Sequence, residues 1–430
     1  MDKKKFLFIS LEGLISDVAW QVAKEGHDVQ YFIGNKEERE IADGFVPKTD
    51  NWEAEVDWAD VIVFDDVLGQ GELAHRLRKE GRKVIGGTPY TDRLEDDRAF
   101  GQEELRKAGI PIIPYREFSD FDEAISFVNE NPAKYAIKPS GEVGNIKRLL
   151  FVGEEDDGKD VIQVLEAYKR VYADRVKAFQ LQRRAIGVEV AVGAFFNGKE
   201  FITPINVNFE HKKLFPGNLG CSTGEMGTAM YWSDPNRIFN STLKKLEPKF
   251  AEEGYVGYMD LNCIVNNNGI YPLEFTSRFG YPTISIQQEG MITPIGEFFY
   301  LLANGADCKL KTRKGFQIGV RIVVPPFPFD DSNTFETNSK GALIIFQKPN
   351  REGVHIEDVR LVNEQWVITG TSGVALIVVG TGQTMKQAQT QVYSRIKNIL
   401  IPNMYYRNDI GDRWFEDSDK LHNWGYLREM

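Results

Sequence analysis

The segment Tyr255 to Gly280, YVGYMDLNCIVNNNGIYPLEFTSRFG, constrains the fold of this chain more than any other. Two apolar runs, YMDLNCIV and IYPLEF, flank an Asn-Gly turn at 266–269 and predict an antiparallel hairpin closed by a type I′ turn. Side chains alternate along a strand, so Asp260 and Asn262 share one face of the first arm, and Glu274 and Thr276 one face of the second. All four then converge across the ladder. Carboxylates joined by amide or hydroxyl oxygens suit a hard divalent cation, with Asp260, Glu274 and Thr276 as ligands, and Arg278 adds positive charge for a phosphoryl group. A polar strand face turned to solvent is the competing interpretation, and the apolar neighbours of Glu274 in Leu-Glu-Phe argue against it.

Around this hairpin the chain changes texture twice. Its first part alternates short apolar runs with helical patterns: KFLFIS, a helix from Ser16 to Glu25 closed by Gly26, DVQYFI, VIVF at 61–64, and a helix up to Lys79. That order predicts a parallel sheet covered on both faces. Ligands of such sheets lie beyond the carboxyl ends of the strands, which marks Asp65 and Asp66 directly after VIVF. From about residue 111 the pattern becomes strands with hairpin turns. YAIK ends in Lys138 ahead of the loop PSGEVGN, with KRLLFV at 147–152 on its far side, and GVEVAVGAFF runs into Asn197-Gly198, a second type I′ signal. A lysine held at a strand end beside a glycine loop can reach nucleotide phosphates, although the loop does not match GxxxxGK[ST]. From about residue 311 a further β-rich stretch ends in the helical pattern MKQAQTQVYSRIKNIL.

A chain of 430 residues exceeds what one hydrophobic core usually organises, so two or three domains are expected. The net charge of -11 disfavours nucleic acid and anionic membranes and points to small-molecule substrates. Cys221, Cys263 and Cys308 have neither CxxC pairing nor histidine spacing, which argues against a disulfide framework or zinc site and for a reducing, cytoplasmic setting. The start MDKKKFLFISLEGLI reads as a first strand, since Ser10 and Glu12 interrupt its apolar residues, and no apolar run is long enough to span a membrane. His27, His75, His355 and His422 lack metal spacing and read as surface or turn residues, whereas His211 beside Lys212 and Lys213 can face an anionic substrate.

LEFTSRFGYP resembles the metal-binding segment of ATP-grasp enzymes, and specifically of the phosphoribosylamine-glycine ligase (glycinamide ribonucleotide synthetase) family of purine biosynthesis. DRAFGQEELRKAGIPIIPY, EHKKLFPGNLGCSTGEMG, and GTSGVALIVVGTGQTMKQAQ through NMYYRNDIGDRW resemble the same family in the same order, so the likeness spans roughly 85 to 414. It implies an ATP-grasp fold, mixed α/β and α+β, with a Rossmann-like parallel-sheet domain at 1–90, an ATP-grasp domain at 91–310 with its nucleotide lid at about 111–187, and a C-terminal β-rich domain at 311–430. The implied reaction is ATP-dependent ligation of a carboxylate to an amine through an acyl phosphate, with ATP and Mg2+ or Mn2+, by a monomer or homodimer.

By position, the resemblance implies that Lys138 contacts ATP, that Glu189 in GVEVAVG contacts the nucleotide, and that Gln182, Arg183, Arg184 and Ala185 form the hinge against which adenine lies. It assigns Glu274 to the metal, and His211, Lys212, Ser222, Thr223 and Gly224 to a loop covering the substrate. Arg98 stands at the place of an ATP-binding lysine, Thr276 at that of an asparagine ligand, and Tyr281 and Thr283 at those of an Asp and a Glu. The glycine-rich N-terminal turn that holds a phosphoribosyl group in the family is here Ser10-Leu11-Glu12-Gly13, so Glu12 and Asp66 line the place where the amine substrate would sit. This departure leaves open a related ligase with another amine or acid; a nucleotide-binding protein without catalysis is the reading outside the enzyme class.

Overall fold

The computed structural model describes residues 2–65, 69–139, 149–173, 175–176 and 178–427. Asp66, the loop from Ser140 to Asn145, and the first two residues of KRLLFV lie outside them.

β1 (Lys5–Ser10), β2 (Asp28–Ile33), β3 (Val61–Phe64) and β4 (Val84–Ile85) form a parallel sheet in the order β2-β1-β3-β4. Phe6 to Ile9 and Val61 to Phe64 are buried throughout, as strands covered on both faces must be. The order steps outward on both sides of β1 and β3, so the crevice at their carboxyl ends is a ligand position set by topology. Asp65 emerges there fully buried, with Ser10 Oγ donating to its carboxylate.

β5 (Tyr115–Phe118), β6 (Tyr135–Pro139), β7 (Phe151–Val152) and β8 (Phe179–Arg183) make a small antiparallel sheet with β8 and β6 at its centre. This sheet has a hydrophobic core of its own, in which Phe121 and Phe179 stack 4.9 Å apart. Each buried phenylalanine there stabilises the unit by about 2 kcal/mol.

β9 (Val188–Asn197), β10 (Ile205–Phe215), β11 (Leu219–Ser233), β12 (Val256–Asn266), β13 (Gly269–Thr276) and β14 (Phe316–Val323) build most of an eight-stranded sheet. After them come β15 (Leu343–Phe346), β16 (Val354–Ile356), β17 (Val359–Val362), β18 (Gln365–Ile368), β19 (Val374–Gly382) and β20 (Ile399–Leu400). β16 and β19 complete the large sheet, ordered β13-β12-β9-β10-β11-β14-β19-β16, while β17-β18-β15-β20 form a separate one. The large sheet thus runs across residue 310 without a break.

Two hairpin turns differ from the sequence expectation. Neither Asn197 nor the residues of the 267–268 loop take the left-handed conformation a type I′ turn requires. The Asn197 carboxamide oxygen instead accepts from the N–H groups of Lys199 and Glu200, a side-chain turn that replaces the I′ geometry. The I′ geometry occurs between β17 and β18, where Asn363 and Glu364 have φ of 50° and 65° and no glycine marks the place. Among the described residues, no helix is long and apolar enough to cross a membrane.

Candidate active site

The ladder register explains how side chains distant in sequence meet. Glu274 pairs with Asn262, Asn262 with Ala191, and Ala191 with Asn208, forming one row across β13, β12, β9 and β10. The next row is Thr276, Asp260, Gly193 and Asn206. Paired residues project to the same side, so the predicted convergence of Asp260, Asn262, Glu274 and Thr276 on one face is present. Gly193 leaves the space it requires: a Cβ there would sit 2.7 Å from the Asp260 carboxylate and closer still to the Tyr258 hydroxyl.

Further along β10 the same face carries Glu210 and Lys212. The Lys212 ammonium lies 3.1 Å from Glu189, 3.3 Å from Glu210 and 3.0 Å from Glu274, so three strands each deliver a carboxylate to one cation. Asn262 Nδ2 donates to Glu189 at 3.0 Å and to Glu210 at 3.2 Å, leaving its Oδ1 buried and without a partner among the described residues. The Lys212 charge, more than any other influence, holds the Glu274 carboxyl down to about 2. Burial works against the charge on Glu189, but Lys212 and Arg413 outweigh it and lower its carboxyl.

Asp260 differs in its surroundings. It is 5% exposed and accepts from Asn208 Nδ2 at 2.9 Å and the Tyr258 hydroxyl at 3.1 Å. Burial, reinforced by the nearby Glu210, pushes its carboxyl well above the usual range. Glu225, also buried, is pushed up by the same two causes. Around the Lys212 ammonium Glu210 and Glu189 accompany Glu274, while Asp260, expected as the second metal carboxylate, lies one row further along the same face. Among the described residues, no group of three or more His, Cys, Asp or Glu side chains is arranged to hold a metal ion by itself.

The small sheet supplies the opposing wall. Lys138, one residue before the end of β6, lies within electrostatic reach of Arg98, Glu274, Lys212 and Glu189, and burial with the Arg98 charge lowers its ammonium to about 8. Arg98 opens the helix Arg98–Lys107, behind an Asp97 cap. Gln182 is buried on β8 with its Nε2 unpartnered among the described residues. Arg183 is exposed, Arg184 is tied to Glu154 and the Gly153 carbonyl, and Ala185 is half-buried between β8 and β9.

Arg278, expected at the transferring phosphoryl group, is half-buried two residues beyond the end of β13. Its guanidinium meets Glu95 at 3.0 Å and the Phe279 carbonyl at 2.9 Å, and it lies 5.9 Å from the Tyr281 ring. Glu95, Tyr281 and Asp65 keep it charged against burial, which sets it facing the crevice of the parallel sheet. The Tyr281 hydroxyl is buried nearby with no partner among the described residues. Glu12 lies half-buried in the bend after β1.

His211, expected to face an anionic substrate, lies apart from Lys212. Strand alternation turns it to the opposite face from Glu210 and Lys212, where it is 2% exposed beside Arg413, Arg407 and Asp409. Burial, with Arg413 and Arg407, drops its imidazole to about 3. The expected covering loop is a hairpin arm, β10 turning into β11 at Pro216–Asn218, with Ser222 paired to Lys213 and the Thr223 hydroxyl donating to the Lys212 carbonyl at 2.9 Å. Gly224 is exposed on this arm. Its tip is pinned by the buried Arg407, which donates to the Lys213 carbonyl and to Asn218 while held by Asp409.

His355, read from sequence as a surface residue, is buried between Asp17 at 2.8 Å and Glu289 at 3.3 Å. Sequence spacing offers no signal for that triad. Glu210 did have one, because Asn208, Glu210 and Lys212 recur at period two, the spacing of one strand face.

Two family models match the chain: phosphoribosylglycinamide synthetase, ATP-grasp (A) domain, over residues 96–284, and phosphoribosylglycinamide synthetase, C domain, over 336–413. The phosphoribosylamine-glycine ligase of Streptococcus pneumoniae (strain ATCC BAA-255 / R6) is 25% identical over 364 residues, covering 81% of this chain and 82% of that protein. The enzyme of the same name from Streptococcus pyogenes serotype M1 is 25% identical over 374 residues, with coverages of 84% and 85%. Among solved structures, phosphoribosylamine-glycine ligase from Thermotoga maritima superposes with a TM-score of 0.70 at 20% identity, covering 94% of this chain and all of that one. The biotin carboxylase domain of Hydrogenobacter thermophilus 2-oxoglutarate carboxylase, solved with MgADP and bicarbonate, gives a TM-score of 0.62 at 14% identity over 99% of both chains. The fold is ATP-grasp.

Proposed function

The chain belongs to the phosphoribosylglycinamide synthetase family of ATP-grasp ligases, and from that premise we propose that it couples ATP cleavage to joining glycine with phosphoribosylamine. The observation that carries this reading is the meeting of Glu189, Glu210 and Glu274 around one cation, opposite Lys138 and Arg98. Carboxylates on one wall and cations on the other are what a metal-bound triphosphate tail requires on its two sides.

Magnesium usually arrives with the nucleotide, held by one or two carboxylates plus phosphate oxygens rather than by an all-protein cage. Glu274 and Glu210, with the unpartnered Oδ1 of Asn262, fit that demand for hard oxygen ligands. Bound there, Mg2+ or Mn2+ supplies charge neutralisation on the phosphates. The hinge Gln182 to Ala185 places one buried amide donor, Gln182 Nε2, where a base ring can accept from it. In this reading residues 1–90 carry the amine-substrate crevice, 91–310 the nucleotide cleft with its lid at about 111–187, and 311–430 the strands that complete the large sheet.

The chemistry follows from the arrangement. The glycine carboxylate attacks the γ-phosphorus and ADP leaves; the amine then attacks the carbonyl carbon of the acyl phosphate, forming the amide as phosphate and a proton are released. No protein nucleophile is needed; positioning and charge do the catalysis. Arg278, beside Asp65 and Tyr281, is the cation that meets the anionic part of a substrate entering the crevice. A coupled assay of ADP release tests the proposal: release is expected with glycine and phosphoribosylamine together, and no release with that pair would refute it.

A further inference from the structure

The ammonium of Lys212 stands where three carboxylates meet, at 3.1 Å from Glu189, 3.3 Å from Glu210 and 3.0 Å from Glu274. The ammonium donates a hydrogen bond to Glu274 and forms ion pairs with the other two. We propose that Lys212 is a tethered cation that closes the metal position of the unliganded protein and must be expelled before a metal–nucleotide complex can seat. The proposal rests on the reading of this cleft as a metal–nucleotide site.

Three observations carry it. A magnesium ion draws its oxygen ligands to about 2.1 Å, whereas these oxygens stand 3.0 to 3.3 Å from the ammonium that lies among them. Both cations cannot share the position. Secondly, two of the three carboxylates are held in place independently of Lys212, because Asn262 bridges Glu189 and Glu210. Withdrawing the lysine therefore leaves a gathered set of acceptors, the unpartnered Asn262 Oδ1 among them. Thirdly, the Lys212 backbone is fixed while its stem is free to swing. Its carbonyl is held by the Thr223 hydroxyl at 2.9 Å beside a bulge between His211 and Lys213, and the side chain is a flexible four-carbon chain. One ammonium against three carboxylates also leaves the position electronegative, so a divalent ion escorted by nucleotide phosphates has the charge to displace it. Once released, the ammonium lies beside the phosphates it has just admitted. The device makes metal entry depend on nucleotide and withholds the site from free metal ions.

The test is binding of Mn2+ by wild-type protein, Lys212→Met and Lys212→Gln, followed by the electron paramagnetic resonance of free Mn2+, with and without ADP. Without nucleotide, both neutral variants should bind Mn2+ about tenfold or more tightly than wild type, the scale expected for removing one unit charge at contact distance. Lys212→Arg, which keeps the charge, should stay near wild type. Circular dichroism identifies any variant that fails to fold, and either neutral variant suffices. Equal or weaker Mn2+ binding by the folded neutral variants, with normal binding of all forms in the presence of ADP, overturns the latch alone. Absence of Mn2+ binding by every form with ADP overturns the metal–nucleotide reading on which it rests.

Discussion

Glu274 meets the Lys212 ammonium at 3.0 Å, is 53% exposed at its side chain, and titrates near 2. Asp260, on the neighbouring strand and the same face, is closed off by Asn208 and Tyr258 and titrates well above the ordinary range. One carboxylate is open to the cleft beside a lysine, while the other is buried with Oδ2 accepting from both Asn208 and Tyr258. Replacement by the neutral isostere should separate them. Glu274→Gln removes the negative charge and should abolish ADP release, whereas Asp260→Asn keeps the shape and the hydrogen-bonding capacity and should retain most of it. Steady-state kinetics on the two variants checks this, and equal losses would contradict the division of roles. Lys138, lowered to about 8 by burial and Arg98, is a cation whose charge depends on its enclosure in the lid.

At the scale of elements, legibility followed local chemistry. β1 coincides with KFLFIS and β3 with VIVF, because uninterrupted apolar runs between turn residues have few alternatives in a covered sheet. The convergence of Asn262 and Glu274 was also legible, since strand alternation and a short loop fix register. Turn type was not. Asn-Gly pairs satisfy themselves here through side-chain hydrogen bonds, and the left-handed pair falls on Asn363-Glu364, where hairpin register forces it. The segment from His211 to Gly227 read as a glycine-rich loop, but it extends as a hairpin arm because Arg407, almost two hundred residues away, anchors its tip. His211 was misplaced for the same reason: once the segment is a strand, alternation turns it away from Lys212.

At the scale of the whole molecule, buried charge ties the parallel sheet to the large one. Asp17, on the helix Ser16–Lys24, meets His355 of β16, which also meets Glu289 of the helix Thr283–Gly290. Glu25 accepts from the N–H groups of Ile295 and Gly296 at the start of another helix, where a carboxylate is favoured by the helix dipole. Burial opposes charge on His355, but Asp17 and Glu289 overcome it and raise its imidazole from 6.5 to about 9. The folded state therefore holds this proton more tightly than the unfolded chain. Its stabilisation is complete below pH 6.5 and is lost as pH rises through about 9. Thermal unfolding should show Tm falling more steeply across that window in the wild type than in His355→Gln, and parallel slopes would contradict the assignment.

The ligase account stands on a carboxylate being phosphorylated by ATP before any amine takes part. Positional isotope exchange tests this step directly, using ATP with heavy oxygen in its βγ bridge, glycine, and no amine. Reversible formation of the acyl phosphate should move the label from the bridge to a non-bridging β position only when glycine is present. A label that stays in the bridge with glycine bound, or that moves equally without it, would contradict the account.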